Sequence, residues 1–213
     1  MMKLDHPGVC FVTSRAASGD RPLADVVKAA IGGGCDLVQV REKDMTGGPL
    51  LLLVREIVEA AKPRGARCTV VVNDRLDVAL AARAGGIHLP ADGLPIGAVR
   101  RHAGKKFLIG RSVHSLAEAQ KARKDGADYL FFGPVFATPS KAAFGPPQGP
   151  DLLRKVAETV KIPVWAIGGI NAGTAAELRG LPIAGVASIS FIASAPDPAA
   201  AVRSLRAALA GSG

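Results

Sequence analysis

The sequence predicts an α/β protein with the architecture of a (β/α)8 TIM barrel, formed by a single domain over residues 1–213. Two observations predict this fold. Eight short apolar runs alternate with helical patterns along the chain, and a length of 213 residues suits one α/β barrel. The competing open doubly wound sheet usually has a glycine-rich turn after its first strand. Residues 14–19 read SRAASG and lack that spacing, which favours the barrel.

Most predicted strands are continuous apolar runs, as expected for strands buried on both faces of a parallel sheet. They are Val9–Thr13, Leu37–Arg41, Thr69–Asn73, Gly86–Leu89, Phe107–Val113, Tyr129–Val135, Val164–Gly168 and Gly185–Ser190. Helical patterns predict a connecting helix after each strand. These helices are Ala24–Ile31, Leu50–Ala61, Leu76–Ala84, Ile96–Ala103, Leu116–Lys124, Leu152–Val160, Ala172–Leu178 and Ala199–Ala210.

The composition excludes several classes of protein. With 48% hydrophobic residues, the chain is too apolar to be disordered. The 27 basic and 18 acidic side chains give a net charge of +9, but one Trp and one Tyr offer few aromatic rings for nucleic-acid binding. We therefore expect no nucleic acid partner. Most of the charge is interpreted as solvated surface, and the rest suits small phosphorylated substrates.

A cytoplasmic location is predicted, without a membrane partner. The first seven residues, MMKLDHP, contain no apolar core typical of a signal peptide. The apolar run Leu50–Val54 is too short to span a bilayer. Cys10, Cys35 and Cys68 form no C-x-x-C pair, so reduced thiols are expected rather than a zinc site or a redox dithiol.

Functional residues of such a barrel lie at the carboxyl ends of its strands. At the end of the second strand, Gln39 and Arg41 share one face because side chains alternate along an extended chain, and Lys43 continues that face if the chain stays extended. An amide and two cations on one side suit a diphosphate, since Arg offers a forked donor and Lys a compact charge. The alternative is that Arg41 and Lys43 only pair with Glu42 and Asp44 at the surface.

The third and fourth strands end in a carboxylate and an imidazole. Asp74 could hold Mg²⁺, which favours carboxylate oxygens together with substrate phosphates, or it could cap the helix that begins near Leu76. His88 could be a ligand or a hydrogen-bonded structural group. Both alternatives stay open at this point.

The fifth strand places Ser112 and His114 on one face, with Gly110 leaving space beneath them. A hydroxyl and an imidazole together can orient a substrate or transfer a proton. Ser115 is predicted to cap the following helix, which is compatible with that role.

The remaining loops provide further anion-binding groups. Thr138, Ser140 and Lys141 follow the sixth strand and could close over an anion. Gly168 and Gly169 follow the seventh strand, and Ser188 and Ser190 end the eighth. Phosphate sites recur at this place in TIM barrels. A monophosphate site, a diphosphate site and a metal suggest a transfer that displaces pyrophosphate.

A set of motifs extends from Val9 to the last helix. They are QVREKD (39–44), NDRLDVAL (73–80), GIHL (86–89), GRSVHS (110–115), GPVF (133–136), TPSK (138–141) and AIGGI (166–170). Together they resemble the thiamine-phosphate synthase and thiazole tautomerase superfamily. The resemblance implies a transferase that couples hydroxymethylpyrimidine diphosphate to hydroxyethylthiazole phosphate in thiamine biosynthesis, with Mg²⁺ as cofactor. It also implies that the pyrimidine substrate ionises and that the thiazole nitrogen captures the cation.

The resemblance assigns roles to particular residues. It implies that the diphosphate is held by Gln39, Arg41, Lys43, Asn73 and Lys141. It implies that Asp74 ligates Mg²⁺, that the pyrimidine is bordered by His88, Ser112 and Thr138, and that the thiazole phosphate is seated by Gly169 and Ser190. The candidate catalytic residues are Arg41, Lys43, Ser112, His114 and Lys141.

One departure from the synthase pattern keeps alternatives open. The second metal carboxylate expected after the fourth strand falls on Gly93, with Asp92 one place earlier as the substitute ligand. The GRSVHS motif and Pro90 are more similar to the tautomerase branch, which isomerises thiazole carboxylate phosphate and would use His114 as proton carrier. The complete set of Gln39, Arg41 and Lys43 favours the synthase. A catalytically silent barrel that binds thiamine metabolites is the third possibility, and a homodimer is compatible with the architecture.

Overall fold

The computed structural model describes residues 7–62, 68–138 and 146–211. It contains eight parallel strands, and the elements alternate as β and α along the chain. The strands are β1 (Gly8–Val12), β2 (Leu37–Val40), β3 (Thr69–Asn73), β4 (Gly86–Leu89), β5 (Leu108–Val113), β6 (Tyr129–Phe132), β7 (Val164–Ile167) and β8 (Gly185–Ser188).

Each strand pairs with its neighbours in sequence order, and β8 pairs with β1 to close the barrel. The closing register places Cys10 opposite Ala187, and the β2–β3 register places Gln39 opposite Val71. The predicted (β/α)8 TIM barrel is confirmed.

Helices cover the outside of the barrel. They are α1 (Arg15–Ser18), α2 (Leu23–Gly32), α3 (Gly47–Ala60), α4 (Leu76–Ala81), α5 (Ile96–Ala103), α6 (Leu116–Lys124), α7 (Gly149–Val160), α8 (Ala172–Glu177), α9 (Ser190–Ala193) and α10 (Pro198–Ala210). The sequence did not predict the four-residue helices α1 and α9. No helix in the described ranges is both long and apolar enough to cross a membrane.

Two apolar clusters form the core. The larger one fills the space between the sheet and the helices. The smaller one fills the lumen of the barrel with Cys10, Val12, Leu37, Val71, Tyr129, Phe131, Trp165 and Ala187. Because these side chains close the lumen, ligands are expected to bind above them, at the carboxyl ends of the strands.

The sixth strand is shorter than predicted. It ends at Phe132, whereas the apolar pattern predicted a strand as far as Val135. Pro134 has no N–H to continue a hydrogen-bonded ladder, and the chain leaves the barrel there. Its neighbour Val135 is nevertheless buried and donates to the Ile167 carbonyl at 2.9 Å.

Cys10 lies within β1, and Cys35 and Cys68 come shortly before β2 and β3. All are free thiols. A hydrogen bond with Cys35, together with burial, raises the pKa of Cys68, and burial raises the pKa of Cys10. Thiols with raised pKa values are poor nucleophiles at neutral pH.

Candidate active site

Polar side chains from neighbouring strands meet above the lumen. Gln39 of β2 is buried, and its Nε2 donates to Asn73 Oδ1 of β3 at 2.9 Å. Asn73 is in turn the register partner of His88 on β4. These three predicted residues therefore form a continuous arc at the carboxyl ends of three adjacent strands.

The turn after β2 is fixed by residues that follow β1. The buried Glu42 carboxylate accepts the Thr13 hydroxyl at 2.6 Å and the Arg15 N–H at 3.1 Å. The Thr13 hydroxyl also accepts the Arg41 N–H at 2.9 Å. The Arg15 guanidinium lies 2.6 Å from the Asp44 carboxylate and 3.5 Å from Glu42. Both acidic residues of the motif are thus paired with the chain that precedes β2.

Arg41 and Lys43 are consequently not paired with the acidic residues beside them. Within the described ranges, neither has a salt bridge or a side-chain hydrogen bond. Arg41 is half-buried and Lys43 is exposed. The alternative that these two cations only pair with Glu42 and Asp44 is therefore wrong, and both remain accessible to an anion.

His88 is the buried centre of a hydrogen-bonded network. Its Nδ1 lies 3.2 Å from Tyr129 Oη and its Nε2 lies 2.9 Å from Ser112 Oγ. Burial, reinforced by the charges of Arg111 and Arg41, lowers the pKa of His88 to about 3, so the ring is neutral at pH 7. A neutral imidazole has one N–H, so one of these two hydroxyls accepts from the ring and the other donates to it.

Aromatic rings support this network from below. The Phe131 ring centroid lies 4.3 Å from that of His88. A Cβ on Gly110 would overlap the Tyr129 ring and lie 2.6 Å from His88 Nδ1. The predicted role of Gly110 in leaving space is confirmed, and the space is occupied by the imidazole and the phenol.

Asp74 follows β3 in a left-handed conformation, with φ of 60°. Helix α4 has Arg75 as its N-cap residue without a side-chain hydrogen bond, so the alternative that Asp74 caps this helix is wrong. The Arg75 guanidinium binds Asp77 at 2.9 and 2.6 Å instead. Non-glycine residues in this backbone region are uncommon and cluster at functional sites.

The loop after β4 is held by Arg111 of β5. This buried guanidinium donates to four carbonyl oxygens, those of Pro90 at 2.7 Å, Ala91 at 3.2 Å, Gly93 at 3.4 Å and Leu94 at 2.5 Å. Burial lowers the pKa of Arg111, whereas the carboxylates of Asp125, Asp74 and Asp92 act in the opposite direction.

Gly93 occupies the position where the resemblance placed a second metal carboxylate. A Cβ on Gly93 would lie 2.8 Å from Pro90 Cδ, so this loop conformation leaves no room for a side chain there. The exposed Asp92 is the carboxylate that this loop provides. Within the described ranges, no three His, Cys, Asp or Glu side chains are arranged to hold a metal ion.

His114 lies on the rim of the barrel. Its Nδ1 is 2.5 Å from the Gly133 carbonyl oxygen, so Nδ1 carries the proton and Nε2 is an acceptor. Ser115 accepts the Glu118 N–H at 3.2 Å, which confirms its predicted role as the N-cap of α6. Thr138 is half-buried at the end of a described range. Ser140 and Lys141 lie outside the described residues.

The other side of the mouth is built from glycines. Gly168 and Gly169 have φ values of 97° and 67°. A Cβ added at Gly168 would lie 2.6 Å from Pro134, and a Cβ added at Gly169 would lie 2.7 Å from Phe136. These glycines were predicted to let the backbone approach a ligand, but the side-chain space they leave is occupied by the loop after β6.

Ser188, the last residue of β8, and Ser190, the first residue of α9, differ in their surroundings. Ser188 is buried, and its hydroxyl donates to the Ile170 carbonyl at 2.9 Å, which ties the ends of β8 and β7 together. Ser190 is exposed and begins α9. A short extra helix after the eighth strand is a recurring part of the phosphate site in TIM barrels.

Sequence reasoning missed several residues that shape the site. Thr13 and Arg15 were assigned no role, although they hold the turn that carries the two cations. Tyr129 was read only as part of a strand. Arg111 was quoted within a motif without a function. The alternation of side chains offered a signal for Arg111, since it places this residue on the opposite face from Ser112.

Comparison with known proteins points to the same family as the sequence motifs. The family model for thiamine monophosphate synthase matches residues 9–192. The chain is 42% identical over 202 residues to a thiamine-phosphate synthase of Roseiflexus sp. strain RS-1, covering 95% of this chain and 85% of that protein. It is 43% identical over 209 residues to a putative thiamine-phosphate synthase of Geobacter sulfurreducens, covering 98% and 97%.

A solved structure shows the same likeness. The thiamine phosphate pyrophosphorylase of Pyrococcus furiosus superposes with a TM-score of 0.86 at 35% identity, and 95% of each chain is covered. The family model and both relatives match nearly the whole sequence. The chain therefore belongs to the thiamine monophosphate synthase family.

Proposed function

We propose that this protein is a thiamine-phosphate synthase, a transferase that couples hydroxymethylpyrimidine diphosphate to hydroxyethylthiazole phosphate and releases pyrophosphate. Its membership of the family supports this activity. The single observation that carries it is the pairing after β2, where Arg15 and Thr13 hold the acidic residues and leave Arg41 and Lys43 accessible.

Arg41 and Lys43 would hold the diphosphate, with Gln39 and Asn73 contributing amide groups from the floor of the site. The bond between the pyrimidine methylene carbon and the diphosphate oxygen breaks, and both bonding electrons leave with the diphosphate. The thiazole nitrogen then donates its lone pair to form the new C–N bond. No strong base is needed, so catalysis depends on stabilising the charge that develops on the leaving group.

The network around His88 would border the pyrimidine. Ser112 is hydrogen-bonded to His88, and the His88 ring is neutral and therefore adds no positive charge beside a pyrimidine cation.

The thiazole phosphate would bind on the opposite side of the mouth. The backbone N–H groups near Gly169 and the start of α9 at Ser190 provide donors for it. This site is separate from the two cations of the β2 turn, so each phosphate group would have its own binding region.

Magnesium fits the residues that are present. Asp74 follows β3 and Asp92 follows the neighbouring strand β4, so both carboxylates come from the carboxyl ends of adjacent strands. Mg²⁺ is usually bound by one or two carboxylates together with substrate phosphates. Asp74 and Asp92 would hold the ion, which would neutralise part of the charge on the departing diphosphate.

The test is a coupling assay with both phosphorylated substrates, in Mg²⁺ and in EDTA. We expect thiamine monophosphate and pyrophosphate in equal amounts, and only with Mg²⁺. Arg41→Ala should lower kcat/KM by about 100-fold because a charge contact in the transition state is lost. Arg101→Ala, which removes an exposed arginine of α5, is the matched control. Absence of product from the wild-type protein would reject the proposal.

A second candidate function is the tautomerase reaction. The observation that favours it is the Gly133 carbonyl, which fixes the proton on His114 Nδ1 and leaves Nε2 as a base. Interconversion of thiazole carboxylate phosphate isomers in EDTA, abolished by His114→Ala, would support this candidate. Binding of both substrate sets by calorimetry without any turnover would indicate a silent metabolite-binding barrel instead.

The cellular setting follows from the proposed substrates. The net charge of +9 would attract small phosphorylated molecules. The three free cysteines fit a reducing compartment such as the cytoplasm.

A further inference from the structure

The acidic residues of the β2 turn pose an electrostatic problem for the diphosphate site. Glu42 and Asp44 alternate with Arg41 and Lys43 along the chain. A carboxylate that folds back onto either cation would compete with the diphosphate for it. The positions of the four charged groups therefore decide how strongly this turn binds an anion.

The structure separates these charges with residues from the segment after β1. Glu42 has a side chain only 4% exposed and is held by Thr13 and by the Arg15 backbone. Asp44 is 75% exposed and has one partner in the described part of the chain, the Arg15 guanidinium at 2.6 Å. Arg15 therefore holds the one carboxylate that is otherwise able to swing towards Lys43 or Arg41.

We infer that Arg15 is a positioning residue for anion binding, which acts by holding Asp44 away from Arg41 and Lys43. This inference rests on the proposed diphosphate site. Arg15 does not itself contact the diphosphate; its guanidinium is occupied by two carboxylates. Thr13 completes the arrangement because its hydroxyl links the Arg41 N–H to Glu42.

The test is a double-mutant cycle with inorganic pyrophosphate as the probe, measured by isothermal titration calorimetry. Arg15→Met should raise the Kd for pyrophosphate about fivefold, as expected for an exposed ion pair that redirects one charge. Glu42 keeps two hydrogen bonds in this variant, so the turn is expected to stay folded. Asp44→Asn should change the Kd less than about twofold, and Arg15→Met/Asp44→Asn should bind like wild type.

The rescue distinguishes positioning from other roles. If Arg15 touched the anion directly, removing Asp44 would not restore affinity. If only net charge mattered, Arg15→Met/Glu158→Gln would be rescued equally, since Glu158 is an exposed carboxylate on α7. A double mutant that stays as weak as Arg15→Met overturns the inference, and so does rescue by Glu158→Gln.

The coupling assay is run on the same proteins to keep the inference separate from the proposed function. If the wild type lacks turnover but the pyrophosphate affinities of the four proteins change as expected, the inference about Arg15 stands and the proposed synthase activity is rejected. If the wild type does not bind pyrophosphate, the inference is overturned as well. If the wild type both turns over its substrates and binds pyrophosphate, Arg15→Met should raise the KM for the diphosphate substrate and leave kcat unchanged.

Discussion

The two sides of the barrel mouth are built in different ways. The side formed by β2 to β5 uses side chains, with Gln39, Arg41, Asn73, His88 and Ser112 arranged over adjacent strands. The side formed by β7 and β8 uses glycines and backbone, with Gly168 and Gly169 packed against the loop after β6. We therefore expect ligand binding on the first side to respond to substitutions that change charge, and on the second side to substitutions that add volume.

The largest expected effect comes from Gly110→Ala on the side-chain side. The new methyl group would overlap Tyr129 and His88. Overpacking of this kind should lower the free energy of unfolding by about 3 kcal/mol. Trp165 is the one tryptophan of the chain and is fully buried in the lumen, so its fluorescence in urea reports unfolding. Gly97→Ala is the control, because a Cβ there meets nothing within 4 Å. Equal stability of the two variants would contradict the close packing.

Gly169→Ala tests the backbone side. Gly169 has φ of 67°, and a Cβ added there would lie 2.7 Å from Phe136. The backbone strain and the close contact together should lower the free energy of unfolding by about 2 kcal/mol. We expect the KM for the thiazole phosphate to rise while the Kd for pyrophosphate is unchanged. Parallel weakening of both ligands would show that the two sides are not independent.

Lys43→Met is the reciprocal test of the charged side. Loss of one charge-assisted contact should raise the Kd for pyrophosphate about tenfold without affecting the thiazole phosphate. Lys155→Met removes an exposed lysine of α7 and serves as the matched control. If both variants weaken pyrophosphate binding equally, the effect is one of net charge and not of the β2 turn.

The smallest expected effect is a pH dependence of stability from His88. Its pKa is about 3 in the folded protein and about 6.5 when unfolded, so the unfolded chain binds more protons as the pH falls below 6.5. Stability is therefore fully present above pH 6.5 and is lost as the pH falls towards 3. From pH 7 to 5.5 the loss should be about 1 kcal/mol, measured by urea unfolding. His88→Gln should lack this component of the slope; an unchanged slope would contradict the buried neutral ring.

Much of the fold could be predicted from the sequence. The strands β3 and β4 and the helices α5 and α6 have the predicted bounds, because continuous apolar runs and helical periodicity reflect burial directly. The helices α1 and α9 were missed because four residues are too few to show a period. The sixth strand was predicted too long, because Val135 is buried although it lies outside the strand.

The site was predicted less completely than the fold. The sequence identified Gln39, Asn73 and His88 because strand ends are readable, and the structure brings them together. It did not identify which groups pair with one another. The tautomer of His88, for example, depends on Tyr129, which lies 41 residues away in the sequence.

The sequence by itself determined the order of the strands and which polar residues stand at their carboxyl ends, because hydrophobic periodicity is a local property. Tertiary structure alone decided which charges are neutralised. Arg15 reaches Asp44 across 29 residues, and Arg111 holds a loop some 20 residues before it. A charged side chain can pair with any opposite charge or carbonyl that folding brings near, and only the closed barrel selects among them.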